Sequence, residues 1–201
     1  MDARFFGEAF VTLFVIMDPL GTIPVFLALT GGFTMRARAR AARQAVLVSL
    51  GVIISFALFG QQILDYLGIG IPALQGAGGL LLLLVALDLL TGRADDPQEI
   101  QDVNVALVPL GTPLLAGPGA IVATIVFVRR ADGVADYLAL ALAILAVHAA
   151  LFLALRFSGG IIRVIKDSGI VLVSRIAGLL LSAIAVQLVA NSVLGFVAEA
   201  Q

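Results

Sequence analysis

Apolar residues fall into six runs, each near the ~20 residues that a bilayer's hydrocarbon core requires of a helix. They cover about 5–30, 45–67, 71–90, 105–128, 137–155 and 176–198. None alternates with the period of two that a half-buried strand would show, so helix is the expected form throughout. Polar residues collect between the runs: Arg36, Arg38, Arg40 and Arg43, then Asp95, Asp96, Glu99 and Asp102, then Arg156, Arg163 and Lys166. The pattern predicts an all-α membrane protein of one domain over 1–201 with six spanning helices.

Two of the runs are interrupted. Pro19-Leu20-Gly21-Thr22 lies in the first and Pro109-Leu110-Gly111-Thr112 in the fourth. Proline removes an amide donor and glycine adds backbone freedom, so both weaken a helix interior. Matched interruptions in two halves point to the binding site of a transporter. The halves are 1–90 and 105–198, joined by a connection over 91–104. Three spans per half make the second half inverted relative to the first. Helices 1 and 4 are expected to be broken near mid-membrane. Spans 3 and 6 align as well, with Gly79-Leu80-Leu81-Leu82 over Gly178-Leu179-Leu180-Leu181, which sets Asp88 over Gln187.

Composition sharpens this. The chain is 61% hydrophobic and 12% charged, against about 25% charged for a soluble domain. A net charge of −1 and the lack of a basic run exclude a nucleic-acid partner. No cysteine is present, so there is no disulfide or thiolate metal site. Asp2, Arg4 and Glu8 do not make the positive start of a signal peptide. The first, third and fifth connections together carry nine Lys and Arg, against three on the other side, namely Arg4, Arg129 and Arg130. That bias puts both termini outside the cytoplasm, the 91–104 connection inside, and Tyr66 and Tyr137 at the outer interface.

The breaks hold the candidate chemistry. Pro24 suits the first turn of a new half-helix that Thr22 could cap, and Pro118 suits another after a turn at Gly117. Two half-helix N-termini facing each other would offer unpaired N–H groups and positive dipole ends, an anion site without a charged side chain. Asp18 is the one carboxylate well inside a span. An ionised carboxylate there costs about 2.5–3.5 kcal/mol, so it lines a cavity, binds a cation, carries a proton, or caps the broken backbone. His148 lies mid-span and suits an interhelical hydrogen bond rather than a metal site. Gln187 and Asn191, one turn apart, either bind substrate or hold helices together. Gly76, Gly78 and Gly79 permit close helix packing, and the arginines of the first connection are topology signals with some affinity for anionic lipid. Gly117-Pro118-Gly119 lacks the Lys-Ser/Thr of a P-loop, and no nucleophile motif is present, so no enzyme or ATP-driven pump is expected.

The same segments carry a family likeness. Met17-Asp18-Pro19-Leu20-Gly21-Thr22-Ile23-Pro24, Gly68-Ile69-Gly70-Ile71-Pro72-Ala73-Leu74, Pro113-Leu114-Leu115-Ala116-Gly117-Pro118-Gly119-Ala120-Ile121 and Ser174-Arg175-Ile176-Ala177-Gly178-Leu179 resemble the MarC family of bacterial and archaeal inner-membrane proteins, over essentially the whole chain. The resemblance implies a secondary transporter of small neutral amino acids such as glycine or alanine, proton-linked, without cofactor or metal, in the cytoplasmic membrane, in contact with lipid and compatible with a homo-oligomer. The expected site lies between helices 1 and 4. Gly21, Thr22 and Pro24 on one side, with Thr112, Gly117, Pro118 and Gly119 on the other, hold a substrate carboxylate, with Gln187 and Asn191 nearby. Asp18 faces the ammonium or carries the coupling proton. A small-ion or solute channel would use the same breaks without a bound solute. A non-transporting scaffold would use them only as kinks.

Overall fold

The computed structural model describes residues 3–91 and 115–199. Seven helices are present among them: α1 (Ala3–Met17), α2 (Thr22–Leu29), α3 (Met35–Leu67), α4 (Ile71–Thr91), α5 (Pro118–Arg130), α6 (Val134–Arg156) and α7 (Ser158–Glu199). Four stretches are long and apolar enough to cross a membrane: Met35–Leu67, Ile71–Thr91, Val134–Arg156 and Val171–Glu199. At ~1.5 Å per residue, α1, α2 and α5 are each shorter than a ~30 Å hydrocarbon core. The first apolar run is thus two short helices. The fourth contributes α5, and its residues 105–114, with the connection 91–104, lie outside the described residues.

Two boundaries differ from the sequence pattern. The second run extends back to Met35, so Arg36, Arg38, Arg40 and Arg43 stand on a helix and not in a connection. Thr34 starts that helix by accepting the Ala37 N–H at 3.3 Å. Alanine and arginine are both strong helix formers, and the buried Ala41, Ala42 and Ala45 give the segment an inward face. Likewise α7 begins at Ser158, directly after the turn at Phe157, so the Arg163 and Lys166 region is helical.

The largest core joins α1, α3, α5 and α6, with Leu13, Phe26, Ile53, Leu115, Val147 and Leu151 fully buried. The most extensive helix contact is α4 against α7. Among the described residues, every substantial contact of the helices within 3–91 is made with a helix of 115–199; α1, α3 and α4 barely touch one another.

These contacts follow one register. A Cβ on Gly79 would lie 2.8 Å from the Ala185 carbonyl oxygen and 2.8 Å from Val189, while one on Gly178 would lie 3.2 Å from the Ala86 oxygen and from Leu90. Position 79 corresponds to 178, 86 to 185 and 90 to 189 by the same spacing of 99 that separates Ser49 from His148, whose side chains meet between α3 and α6. Leu82 and Leu181, like Ala86 and Ala185, are buried together at that interface. In this register Asp18-Pro19 corresponds to Gly117-Pro118, not to the residues beside Pro109. The second copy of the four-residue word, at 109–112, lies outside the described residues.

Candidate functional site

The first break is built around Asp18. Its N–H donates to the Phe14 oxygen at 3.0 Å and closes the last turn of α1. Pro19 follows, and the residue before a proline is disfavoured in the right-handed helical region. Asp18 leaves it for a left-handed conformation with φ of 38°, one that aspartate tolerates better than most side chains. Its Oδ1 accepts the Gly21 N–H at 3.0 Å, capping the exposed backbone of the break. Its Oδ2 is buried and has no hydrogen-bond partner among the described residues. Gly21 is required beside it, because a Cβ there would fall on the Asp18 carboxylate.

Thr22 is buried but does not cap α2 as its sequence position suggests. It is the first helical residue, and its hydroxyl donates back to the Pro19 oxygen at 3.1 Å. The capping role passes to Asp18, which precedes the break and reaches across it. Pro24 occupies the first turn of α2, where its missing N–H is not needed.

The second break places Gly117 at the N-cap of α5 in extended conformation (φ −62°, ψ 164°), with Pro118 opening the helix. Ala120 and Ile121 both donate to the Gly117 oxygen, at 3.0 and 3.2 Å. The Gly119 N–H meets no acceptor among the described residues. Gly119 is buried, and a Cβ on it would strike the Leu82 side chain and come within 3.4 Å of Ile16 Cγ2. The positive end of α5 therefore packs on the last turn of α1, two residues before Asp18. Among the described residues, an acceptor without a donor, Asp18 Oδ2, and an amide without an acceptor, the Gly119 N–H, occupy adjoining turns. Together they can hold a cation or proton at the carboxylate and an anionic group at that amide.

The remaining candidates lie elsewhere. Thr112 is outside the described residues. Gln187 Nε2 donates to Asn191 Oδ1 at 2.9 Å on the exposed face of α7, and among the described residues neither hydrogen-bonds to a break. His148 forms the expected interhelical hydrogen bond: Nδ1 lies 2.8 Å from the Ile144 oxygen and Nε2 3.3 Å from Ser49 Oγ. A carbonyl can only accept, so Nδ1 carries the hydrogen and Nε2 accepts from the serine. Gly76, Gly78 and Gly79 admit close packing, against Ser192, Val122 and the α7 backbone. Among the described residues no group of His, Cys, Asp or Glu is gathered to hold a metal.

Three site neighbours escaped the sequence reading. Ile16 and Leu82 wall the Gly119 contact, and apolar residues in apolar runs give no signal of such a role. Arg38 donates to the Thr30 oxygen at 3.0 Å, just past the C-terminus of α2, while its Nε is buried without a partner among the described residues. Its place one turn into a capped helix was the available clue.

The chain matches the model of the MarC family integral membrane protein over residues 3–197. It is 37% identical to a UPF0056 membrane protein of Methanocaldococcus jannaschii, over 97% of this chain and 98% of that one. Identity is 33% with the UPF0056 membrane protein YhcE of Escherichia coli, covering 96% and 94%, and 30% with YvbG of Bacillus subtilis, covering 97% of each. No solved structure matches. The chain belongs to the MarC family of integral membrane proteins.

Proposed function

We propose that the protein is a secondary transporter of small neutral amino acids, coupled to protons, with its site between the α1–α2 break and the N-terminus of α5. The observation that carries this is the buried Asp18 Oδ2, without a partner among the described residues, near the N-terminus of α5, where Gly119 admits the Leu82 side chain. A zwitterion needs both signs close together. Asp18 takes its ammonium or the coupling proton; the Gly119 N–H, at the positive end of α5, takes its carboxylate. Glycine and alanine suit a neighbourhood walled by Ile16 and Leu82.

The architecture belongs to the same reading: six spans as two inverted repeats, 1–90 and 105–198. The shared register of 99 and the reciprocal contacts of Gly79 with Ala185 and of Gly178 with Ala86 support it. Both termini lie outside the cytoplasm, as the Lys and Arg bias requires.

The test is uptake of labelled glycine and alanine into proteoliposomes, with and without a pH gradient. Saturable, competable uptake that the gradient drives is expected. Flux that never saturates would replace the transporter with a channel, and no flux would leave a scaffold. Asp18→Asn should abolish gradient-driven accumulation while the protein still inserts; wild-type accumulation would reduce Asp18 to a helix cap.

A further inference from the structure

We propose that the groove between α3 and α6 is a binding site for one anionic phospholipid. A cavity of about 490 Å³ at one end is lined by Arg36, Arg40 and Arg43 of α3 and Arg156 of α6, with Met35 and Phe152 beside them. Among the described residues no carboxylate lines it, and none of these four arginines forms an ion pair. The arginines that end α5 behave differently: Arg129 pairs with Asp65 of α3 and Arg130 with Glu8 of α1.

Helix stability does not explain the cluster. Arg36 stands in the first turn of α3, where the helix dipole disfavours a cation. Four guanidiniums converging from two helices repel one another unless an anion is present. A phosphate answers that charge, and the planar guanidinium forks match its oxygens.

The groove's other end identifies the anion's source. Arg36, Arg40, Arg43, Leu47, Ile54 and Leu58 fall on one face of α3 by helical spacing. Leu47 is exposed, and Ile54 and Leu58 open into a second cavity of about 560 Å³, closed on α6 by Ala141 and Leu145. Arg43 to Ile54 is about 16 Å along the helix at ~1.5 Å per residue, close to the ~15 Å of one leaflet's hydrocarbon. A free phosphate would use only the charged end. A phospholipid fills both, with its headgroup among the arginines and an acyl chain along Leu47 to the cavity at Leu58.

The experiment titrates the purified full-length protein in detergent with phosphatidylglycerol and with phosphatidylcholine of the same chains, read by native mass spectrometry. Phosphatidylglycerol should bind at least ~10-fold more tightly, because only it brings a net charge to the cluster. Removing three charges with Arg40→Gln, Arg43→Gln and Arg156→Gln together should weaken it by about 100-fold, and Arg156→Gln alone by about 5-fold. Arg175→Gln, outside the groove, should change little. Ala141→Trp fills the apolar cavity and should weaken long-chain phosphatidylglycerol but not its dihexanoyl form. Equal affinity for the two lipids overturns the proposal, as does a preference that survives the triple substitution. Competition by inorganic phosphate at the lipid's own potency would make this a free-anion site and also overturn it.

Discussion

Gly79→Ala tests whether α4 and α7 are held by backbone approach. The added Cβ would sit 2.8 Å from the Ala185 carbonyl oxygen, 2.8 Å from Val189 Cγ2 and 3.1 Å from the Val189 amide nitrogen. Two of these three atoms are backbone, which no rotamer change can move aside. The helices must part by roughly half an ångström, and overpacking of this kind costs about 1–3 kcal/mol. Gly178→Ala meets Leu89 Cβ at 3.1 Å and the Ala86 oxygen at 3.2 Å, so the same interface should lose less, about 1 kcal/mol or under. Gly51→Ala is the counter-example. Nothing lies within 4 Å of its Cβ, and alanine is the better helix former by about 1 kcal/mol. Thermal unfolding of the three purified variants in one detergent should rank Gly51→Ala above wild type, Gly178→Ala near it, because the same helix gain of about 1 kcal/mol offsets its milder clash, and Gly79→Ala lowest. If Gly79→Ala unfolds with Gly51→Ala, the α4–α7 packing described above is wrong.

Gly21→Ala should abolish uptake as Asp18→Asn does, because its Cβ displaces the Asp18 carboxylate; normal uptake would show that the carboxylate's position is immaterial. A double-mutant cycle of Ser49→Ala and His148→Phe should return a coupling of about 0.6 kcal/mol in unfolding, the usual worth of an interhelical hydrogen bond in a membrane protein; additive losses would mean that the pair is only adjacent. Cysteines at the exposed Arg40 and Gly159 should resist an impermeant thiol reagent in intact cells while one at the exposed Ala135 labels, and the reverse would invert the proposed topology.

The first break was legible because Asp18-Pro19-Leu20-Gly21 contains the residues that disfavour helix continuation, and Gly117-Pro118 opened α5 as its chemistry requires. Two spacings were legible, 90 from the repeated four-residue word and 99 from Gly79-Leu80-Leu81-Leu82 over Gly178-Leu179-Leu180-Leu181; the contacts between α4 and α7 follow the second, with Leu82 and Ala86 buried beside Leu181 and Ala185. Such small and branched residues recur throughout an apolar chain, and only contact singles them out. The start of α3 was hidden because arginines read as a connection, although alanine and arginine are both strong helix formers. The convergence of Arg156 on Arg36, Arg40 and Arg43 needs the antiparallel pairing of α3 and α6. Likewise, the missing partner of Asp18 Oδ2 is a property of what surrounds it in space.

The contact pattern also bears on assembly of the chain in the membrane. The helices of residues 3–91 scarcely touch one another and find their neighbours in 115–199. During synthesis the first half therefore enters the bilayer with its eventual contact surfaces facing lipid, and it has little of its own to fold around until the second half arrives. Tertiary structure is then a late event, closing as two incomplete parts interlock. A truncated N-terminal half would be inserted yet unfinished, and supplying the other half as a separate polypeptide would restore what it lacks.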